Sequence, residues 1–363
     1  MDYLTEFRDG ELLKRMGEKL SSMRIQRPLK LMEVCGTHTM AIRRFGLHRL
    51  LPEGVSLVSG PGCPVCVTEN AYIDRAIAYA KEGKIITTFG DMVRVPGSYN
   101  SLEKVRAEGG DVYVVYSPYD ALDIAEKHPD RDVIFLAVGF ETTVPGIAST
   151  MKHALERDLE NFFVLCGNKV IPPALHALVA DETLAIDGFI LPGHVSTIIG
   201  VKPYEFLALE FGVPCVISGF EPVDIVSSVI KLVETLESGT PKIVNNYTRV
   251  VRYEGNPVAL KLMEEVFEEA SAVWRGIGEI PGSGLTPREI YRRMDAGENL
   301  PVSVPPPKEH PGCRCGDVLK GVIIPPECPL FGKACTPQAP VGPCMVSSEG
   351  SCSAYYKYGG EAL

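Results

Sequence analysis

An α/β fold built on parallel sheets is what this sequence predicts, and three observations predict it. Short apolar runs alternate with helical patterns along the first two thirds of the chain. Several of those runs end in glycine turns (S-G-P-G, F-G-D, V-G-F, C-G-N, L-P-G, S-G-F), the strand–turn–helix signature of βα units. A motif offset of 131 residues also recurs: Cys35-Gly36 precedes Gly62 as Cys166-Gly167 precedes Gly193. The repeat predicts two similar α/β domains facing each other across a cleft, at 28–127 and 128–228. A third, mainly helical and loop-rich domain is expected from 1–27 with 229–363.

The elements follow in order. Leu12, Leu13, Met16, Leu20 and Met23 form a helical stripe over 11–23. Strands are expected at Leu29–Val34, Val55–Ser59, Lys84–Phe89, Val112–Tyr116, Val133–Val138, Phe162–Cys166, Gly188–Leu191 and Pro214–Ser218. Helices are expected over 71–81, over 222–237 behind Pro222, over 257–270, and over 286–295 behind Thr286-Pro287. From about 297 the chain turns to proline and glycine, with P-V-S-V-P-P-P-K the clearest linker. A cysteine-rich tail follows, which can be ordered only if something pins it.

Composition narrows the function. The 363 residues exceed one ordinary core. The net charge of -10 disfavours nucleic acid as a partner. No apolar run is long enough to span a bilayer, and M-D-Y-L-T-E-F-R-D-G does not read as a signal peptide. A cytoplasmic protein is expected, and there eleven cysteines point to metal or catalysis before a disulfide framework.

Four tail cysteines, Cys313, Cys328, Cys335 and Cys352, are spaced C-x14-C-x6-C-x16-C. Zinc sites favour C-x2-4-C pairs, whereas iron–sulfur clusters accept freer spacing; a [4Fe-4S] cluster, zinc, and free or disulfide-bonded thiols all remain open on the residues alone. Cys315 and Cys344 are left over, as a second redox pair or as small buried residues. Cys63-Pro64-Val65-Cys66, ahead of the 71–81 helix, suits a dithiol that yields two electrons on closing; half of a zinc site is the other reading. Cys35-Gly36-Thr37-His38-Thr39 puts a thiolate and an imidazole three residues apart, suited to a soft metal ion or an activated nucleophile, or to a buried Cys beside a capping Thr. Glu141, Thr142, Thr143, His194, Ser196, Asp91 and Arg94 sit in other strand-end turns, where ligands bind in parallel sheets. No phosphate-binding glycine loop is present.

Taken together, C-G-T-H-T at 35–39, G-P-G-C-P-V-C at 60–66, G-F-E-T-T at 139–143, P-G-H-V-S-T-I-I-G at 192–200 and the tail spacing resemble the HypD family of [NiFe]-hydrogenase maturation proteins, across almost the whole chain. The resemblance implies two Rossmann-like domains and a third that carries a [4Fe-4S] cluster on Cys313, Cys328, Cys335 and Cys352. It implies that Cys35, with His38 near, binds the iron being assembled into an Fe(CN)2CO unit, together with a cysteine of the chaperone HypC. Cys63 and Cys66 would be the redox pair, in an arrangement similar to ferredoxin:thioredoxin reductase. Cyanide would arrive from HypE as a thiocyanate. A free-standing [4Fe-4S] thiol–disulfide oxidoreductase is the alternative.

Overall fold

The computed structural model describes residues 8–359; the outermost parts of the expected third domain, 1–7 and 360–363, lie outside the described residues. Nine strands build two parallel sheets: β1 (Leu29–Glu33), β2 (Val55–Ser59), β3 (Ile85–Thr88), β4 (Val112–Val114), β5 (Val133–Ala137), β6 (Phe162–Cys166), β7 (Gly188–Pro192), β8 (Cys215–Ser218) and β9 (Ile243–Asn245). One sheet runs β2-β1-β7-β8-β9 and the other β4-β3-β5-β6. The expected strands are all present within a residue or two. β9 was not expected; it is three residues long and pairs with β8 through Cys215↔Ile243.

Continuous apolar runs explain the parallel arrangement. V-I-F-L-A in β5 and G-F-I-L-P in β7 are buried at every position, because helices cover both faces of each sheet. The helices over Asn70–Lys81 and Pro222–Glu237 match their apolar stripes. Among the described residues no helix is long and apolar enough to cross a membrane.

The strands do not group as a division at 127/128 would have them. The chain lays down β1 and β2, leaves to build the whole second sheet from β3 to β6, and returns when β7 pairs with β1 through Leu31↔Gly188. Parallel neighbours need long crossovers, and a crossover long enough to carry a helix can deliver its strand to either sheet. The offset of 131 residues matches β1 with β6 and β3 with β8, which lie in different sheets. The repeat therefore relates strand-end turns and not contiguous halves.

Beyond Glu237 the structure adds an antiparallel hairpin that takes the end of the helix expected over 257–270 and the start of that expected over 286–295. The helix Pro257–Val266 stops, and β10 (Phe267–Trp274) and β11 (Gly278–Pro287) follow. The turn between them needs positive φ at Gly276 (75°) and Gly278 (118°), conformations that glycine supplies without strain. After it come a 3-10 turn, Glu289–Met294, and a short helix, Ala296–Asn299. Trp274 is fully buried, stacks on Phe140 with ring centres 5.8 Å apart, and donates its indole N–H to Ser283 Oγ at 2.8 Å. The hairpin end also bridges Thr68, so it braces the loop that carries Cys63 and Cys66.

The tail is loop with two short helices, Cys315–Leu319 and Ser351–Tyr358, and 3-10 turns at Pro325–Glu327 and Pro343–Met345. It returns to the first sheet. Arg43 lies over the Tyr355 ring at 3.7 Å, and a Cβ on Gly36 would stand 2.3 Å from Glu349 O. Only glycine admits the tail backbone so close to the C-G-T-H-T turn.

Candidate functional site

The carboxyl ends of both sheets open onto a cleft of about 700 Å³, and the strand-end turns meet there. β1 delivers Cys35, β2 Gly62 and Pro64, β3 Asp91, β5 Thr142 and Thr143, and β7 His194; the tail adds Ser347 and Glu349. This is where ligands bind in open parallel sheets. Asp91 is tied to the tail by the Ser347 hydroxyl at 2.7 Å. Three expected groups are absent from this wall. Arg94 donates to Pro337 O at 2.6 Å, outside the cleft. Glu141 is turned into the protein, where one oxygen accepts the Ile171 N–H at 2.9 Å and the other has no partner. Burial pushes its carboxyl up to about 7. Ser196 is buried, donating to Pro192 O at 2.8 Å.

Cys35 caps the helix Gly36–Arg44. Burial, and then the nearby Glu349 carboxylate, push its thiol up to about 12, against the pull of the Thr37 and His38 backbone N–H groups. Glu349 also accepts the Thr37 hydroxyl at 2.6 Å, so it stands at the lip of the Cys35 site. Below, the Cys35 N–H donates to Glu33 Oε2 at 3.3 Å, and burial pushes the Glu33 carboxyl up to about 8. Glu33 therefore holds its proton at neutral pH.

His38 does not share the point that Cys35 faces. It is fully buried, its Nε2 engages Gly219 O at 2.9 Å, and its ring stacks on Phe220 with centres 4.7 Å apart. Burial lowers it to about 4. The helical turn that begins at Cys35 rotates the third residue into the Gly219–Phe220 turn, so His38 acts there as a packed core imidazole. His194, stacked on Phe220 at 3.8 Å, is the imidazole that lines the cleft. Glu349 escaped sequence reasoning because S-S-E-G carries no motif.

Cys63 and Cys66 lie on the loop after β2. Cys66 Sγ donates to Cys63 Sγ at 2.7 Å, and the Cys66 N–H also points to Cys63 Sγ at 3.3 Å. Both are buried. The next helix begins only at Asn70, so its N-terminus does not touch the pair; burial and its thiol neighbours push Cys66 well above the ordinary cysteine range.

The two cysteines without a role join this pair to the tail. Cys344 neighbours both Cys315 and Cys66, and these two thiols hold its own thiol below the ordinary cysteine range, against the burial that would raise it. Cys315 in turn lies 3.3 Å from Cys313 Sγ and contacts Cys352. A run of neighbouring thiols thus leads from Cys63, buried between the cleft-lining Gly62 and Pro64, through Cys66, Cys344 and Cys315 to the tail cysteines. The only sequence signal was that Cys315 and Cys344 were left over.

Cys313, Cys328, Cys335 and Cys352 line one small pocket with Cys315, closed by Val318, Leu330, Phe331 and Met345. At Gly342 a Cβ would stand 2.6 Å from Cys315 Sγ and 2.9 Å from Cys313 Sγ, so the backbone there closes directly on the thiols. The Val341 N–H donates to Cys335 Sγ at 3.4 Å. Among the described residues, no three His, Cys, Asp or Glu side chains converge to hold a single metal ion. Thiols around a pocket, in apolar walls and with N–H donors, fit a cluster better than a mononuclear zinc site.

Comparison with known proteins accords with this layout. The chain matches the HypD family, described as the hydrogenase formation hypA family, over residues 11–359. It is similar to hydrogenase maturation factor HypD of Rhodobacter capsulatus, 43% identical over 372 residues that cover 99% of each chain. It is 45% identical to HypD of Cupriavidus necator over 369 residues, 99% of this chain and 97% of the other. With HypD of Escherichia coli it shares 43% identity over 366 residues, 99% of this chain and 98% of the other.

Proposed function

The chain belongs to the HypD family of hydrogenase maturation factors, and from that premise we propose that it is the iron–sulfur scaffold and redox protein on which an Fe(CN)2CO unit is assembled. HypC and HypE are its proposed partners, and the cytoplasm its compartment. The observation that carries this reading is the run of neighbouring thiols from just behind the cleft wall, at Cys63, to the tail pocket.

Iron is the cargo. Cys35 would hold it in the cleft as a thiolate, shared with a cysteine of HypC, and soft sulfur suits an iron that carries cyanide and carbon monoxide. His194 and Glu349 are the cleft groups placed to assist, and His38 supports the turn from behind. Cyanide would come from a thiocyanate on HypE. Breaking its S–CN bond takes two electrons and leaves a thiol on the partner. Cys63 and Cys66 supply the pair of electrons as they close to a disulfide, and their protons go to the partner thiol and to solvent.

Re-opening that disulfide is the task of Cys344 and Cys315. The Cys344 thiolate attacks Cys66 sulfur and frees Cys63. Cys315 then attacks Cys344 sulfur and frees Cys66, leaving a Cys315–Cys344 disulfide. Bound by Cys313, Cys328, Cys335 and Cys352, a [4Fe-4S] cluster would supply single electrons from an external donor to that second disulfide.

Infrared absorption of anaerobic protein copurified with HypC, with HypE present, tests the proposal. Cyanide and carbonyl stretching bands that vanish in Cys35→Ser are the expected result. Their absence from the wild-type complex would favour a stand-alone thiol–disulfide oxidoreductase.

A further inference from the structure

Arg275 is buried at the tip of the β10–β11 hairpin, 4% exposed. Its backbone N–H donates to Val67 O at 2.9 Å, next to Cys66. The adjoining Gly276 stands where a Cβ would meet Gly316 Cα at 2.2 Å, next to Cys315. The hairpin tip is therefore wedged between the two thiol sites.

The guanidinium is only partly compensated. Nε pairs with Glu309 Oε1 at 3.3 Å, and that carboxylate is more than half exposed. Nη1 is buried and has no hydrogen-bond partner. A guanidinium does not shed its proton, so an unpaired buried donor on it costs free energy unless another negative group faces it. Arg275 lines a hollow of about 420 Å³ with His310, Pro311 and Val341. The Cys313 N–H donates to His310 O at 2.9 Å, and the Val341 N–H donates to Cys335 Sγ. Arg275 thus borders the loops that carry two of the pocket thiols.

We propose that Arg275 is the positioning residue that sets the reduction potential of the cluster held by the tail cysteines. The inference rests on the cluster reading above. A cluster on four thiolates carries net negative charge, and reduction adds one more. A fixed positive charge at its edge stabilises the reduced form and raises the potential, and with it the ease of loading the Cys315–Cys344 pair. Nη1, an unpaired buried donor next to the loops that carry Cys313 and Cys335, would then be available to a cluster those loops hold.

The test is a dithionite titration of anaerobic full-length protein, with mediators, read by electron paramagnetic resonance, with iron and sulfide assayed in each sample. Arg275→Gln should lower the reduced-to-oxidised ratio at fixed potential about tenfold, or 59 mV for a one-electron couple. Arg275→Lys, which keeps the charge, should recover most of the loss. Glu309→Gln, on the exposed partner, should shift the ratio the opposite way by about twofold, less in high salt. A loaded Arg275→Gln protein with the wild-type potential overturns the inference. If Arg275→Gln fails to load, Glu309→Gln decides, and an unmoved or lowered potential there overturns it. Wild-type protein without iron and sulfide would instead sink the cluster reading on which this rests.

Discussion

Cys35 and Cys328 are both cysteines with a proposed metal to hold, yet the protein holds them by opposite means. Cys35 stands on the end of a buried parallel strand and caps a helix. The backbone around it is so tight that a Cβ on Gly62 would sit 2.2 Å from its nitrogen. Cys328 stands at the end of a three-residue 3-10 turn, in a tail whose helices are five and eight residues long. The first site is shaped by a sheet that needs no metal. The second gathers its thiols from loops, and loops of this kind are ordered by the bonds they make. On the proposed function, a cargo ion would come and go at the cleft without disturbing the fold, whereas the tail would depend on its resident cluster.

That contrast can be broken by four substitutions, taken here by their expected effect on the fold. Cys328→Ala should abolish the broad visible absorption and expose the segment after Pro305 to proteases, with the sheets intact. Unchanged iron and sulfide content would erase the distinction between the sites. Trp274→Ala removes the buried brace under the Cys63–Cys66 loop and should lower stability by about 3–5 kcal/mol in denaturant unfolding. A loss below about 1 kcal/mol would show that the hairpin is not a brace.

The third tests burial at the cleft wall through pH. His38 falls from 6.5 to about 4 on folding. Its contribution is present above 6.5 and is lost as pH falls through about 4, roughly 3 kcal/mol in all. His38→Phe should flatten that acid limb in a pH series of unfolding curves; an unchanged limb would place the imidazole in solvent. Glu33 has the opposite sign, because its raised carboxyl favours the fold below 4.5 and loses that contribution as pH rises through about 8. The smallest effect on the fold is expected from Cys35→Ser. A serine can still cap the helix, so stability should change by less than about 1 kcal/mol while cluster absorption persists. Joint loss of cluster and fold would make Cys35 a structural residue.

How much of this was legible in the sequence also divides by region. The parallel strands were visible because their apolar runs end in glycine turns, and the same turns placed Cys35, Asp91, Thr142 and His194 at one cleft. Two features defeated pattern reading there. The membership of β3 and β7 in different sheets depends on crossovers that carry no residue code. The aim of His38 depends on one helical turn. In the third domain the stripe of Leu260, Met263 and Val266 on a true helix runs straight on into Phe267, so the start of β10 was hidden until Gly276 and Gly278 are seen to make a hairpin turn. Cys344 and Arg275 have no motif at all, because their partners lie on the far side of the fold.

The central claim is that the tail cysteines reach the cleft through Cys315 and Cys344. It is tested most directly by following the Cys63–Cys66 disulfide itself. Anaerobic, cluster-loaded protein with that disulfide closed would be mixed with reduced methyl viologen, quenched with a thiol label, and mapped by mass spectrometry. The account predicts two newly labelled thiols, Cys63 and Cys66, relative to the unreduced protein in the wild type, and a rate at least about tenfold lower in Cys344→Ser with iron content unchanged. Opening of the disulfide at the wild-type rate in that variant would contradict it.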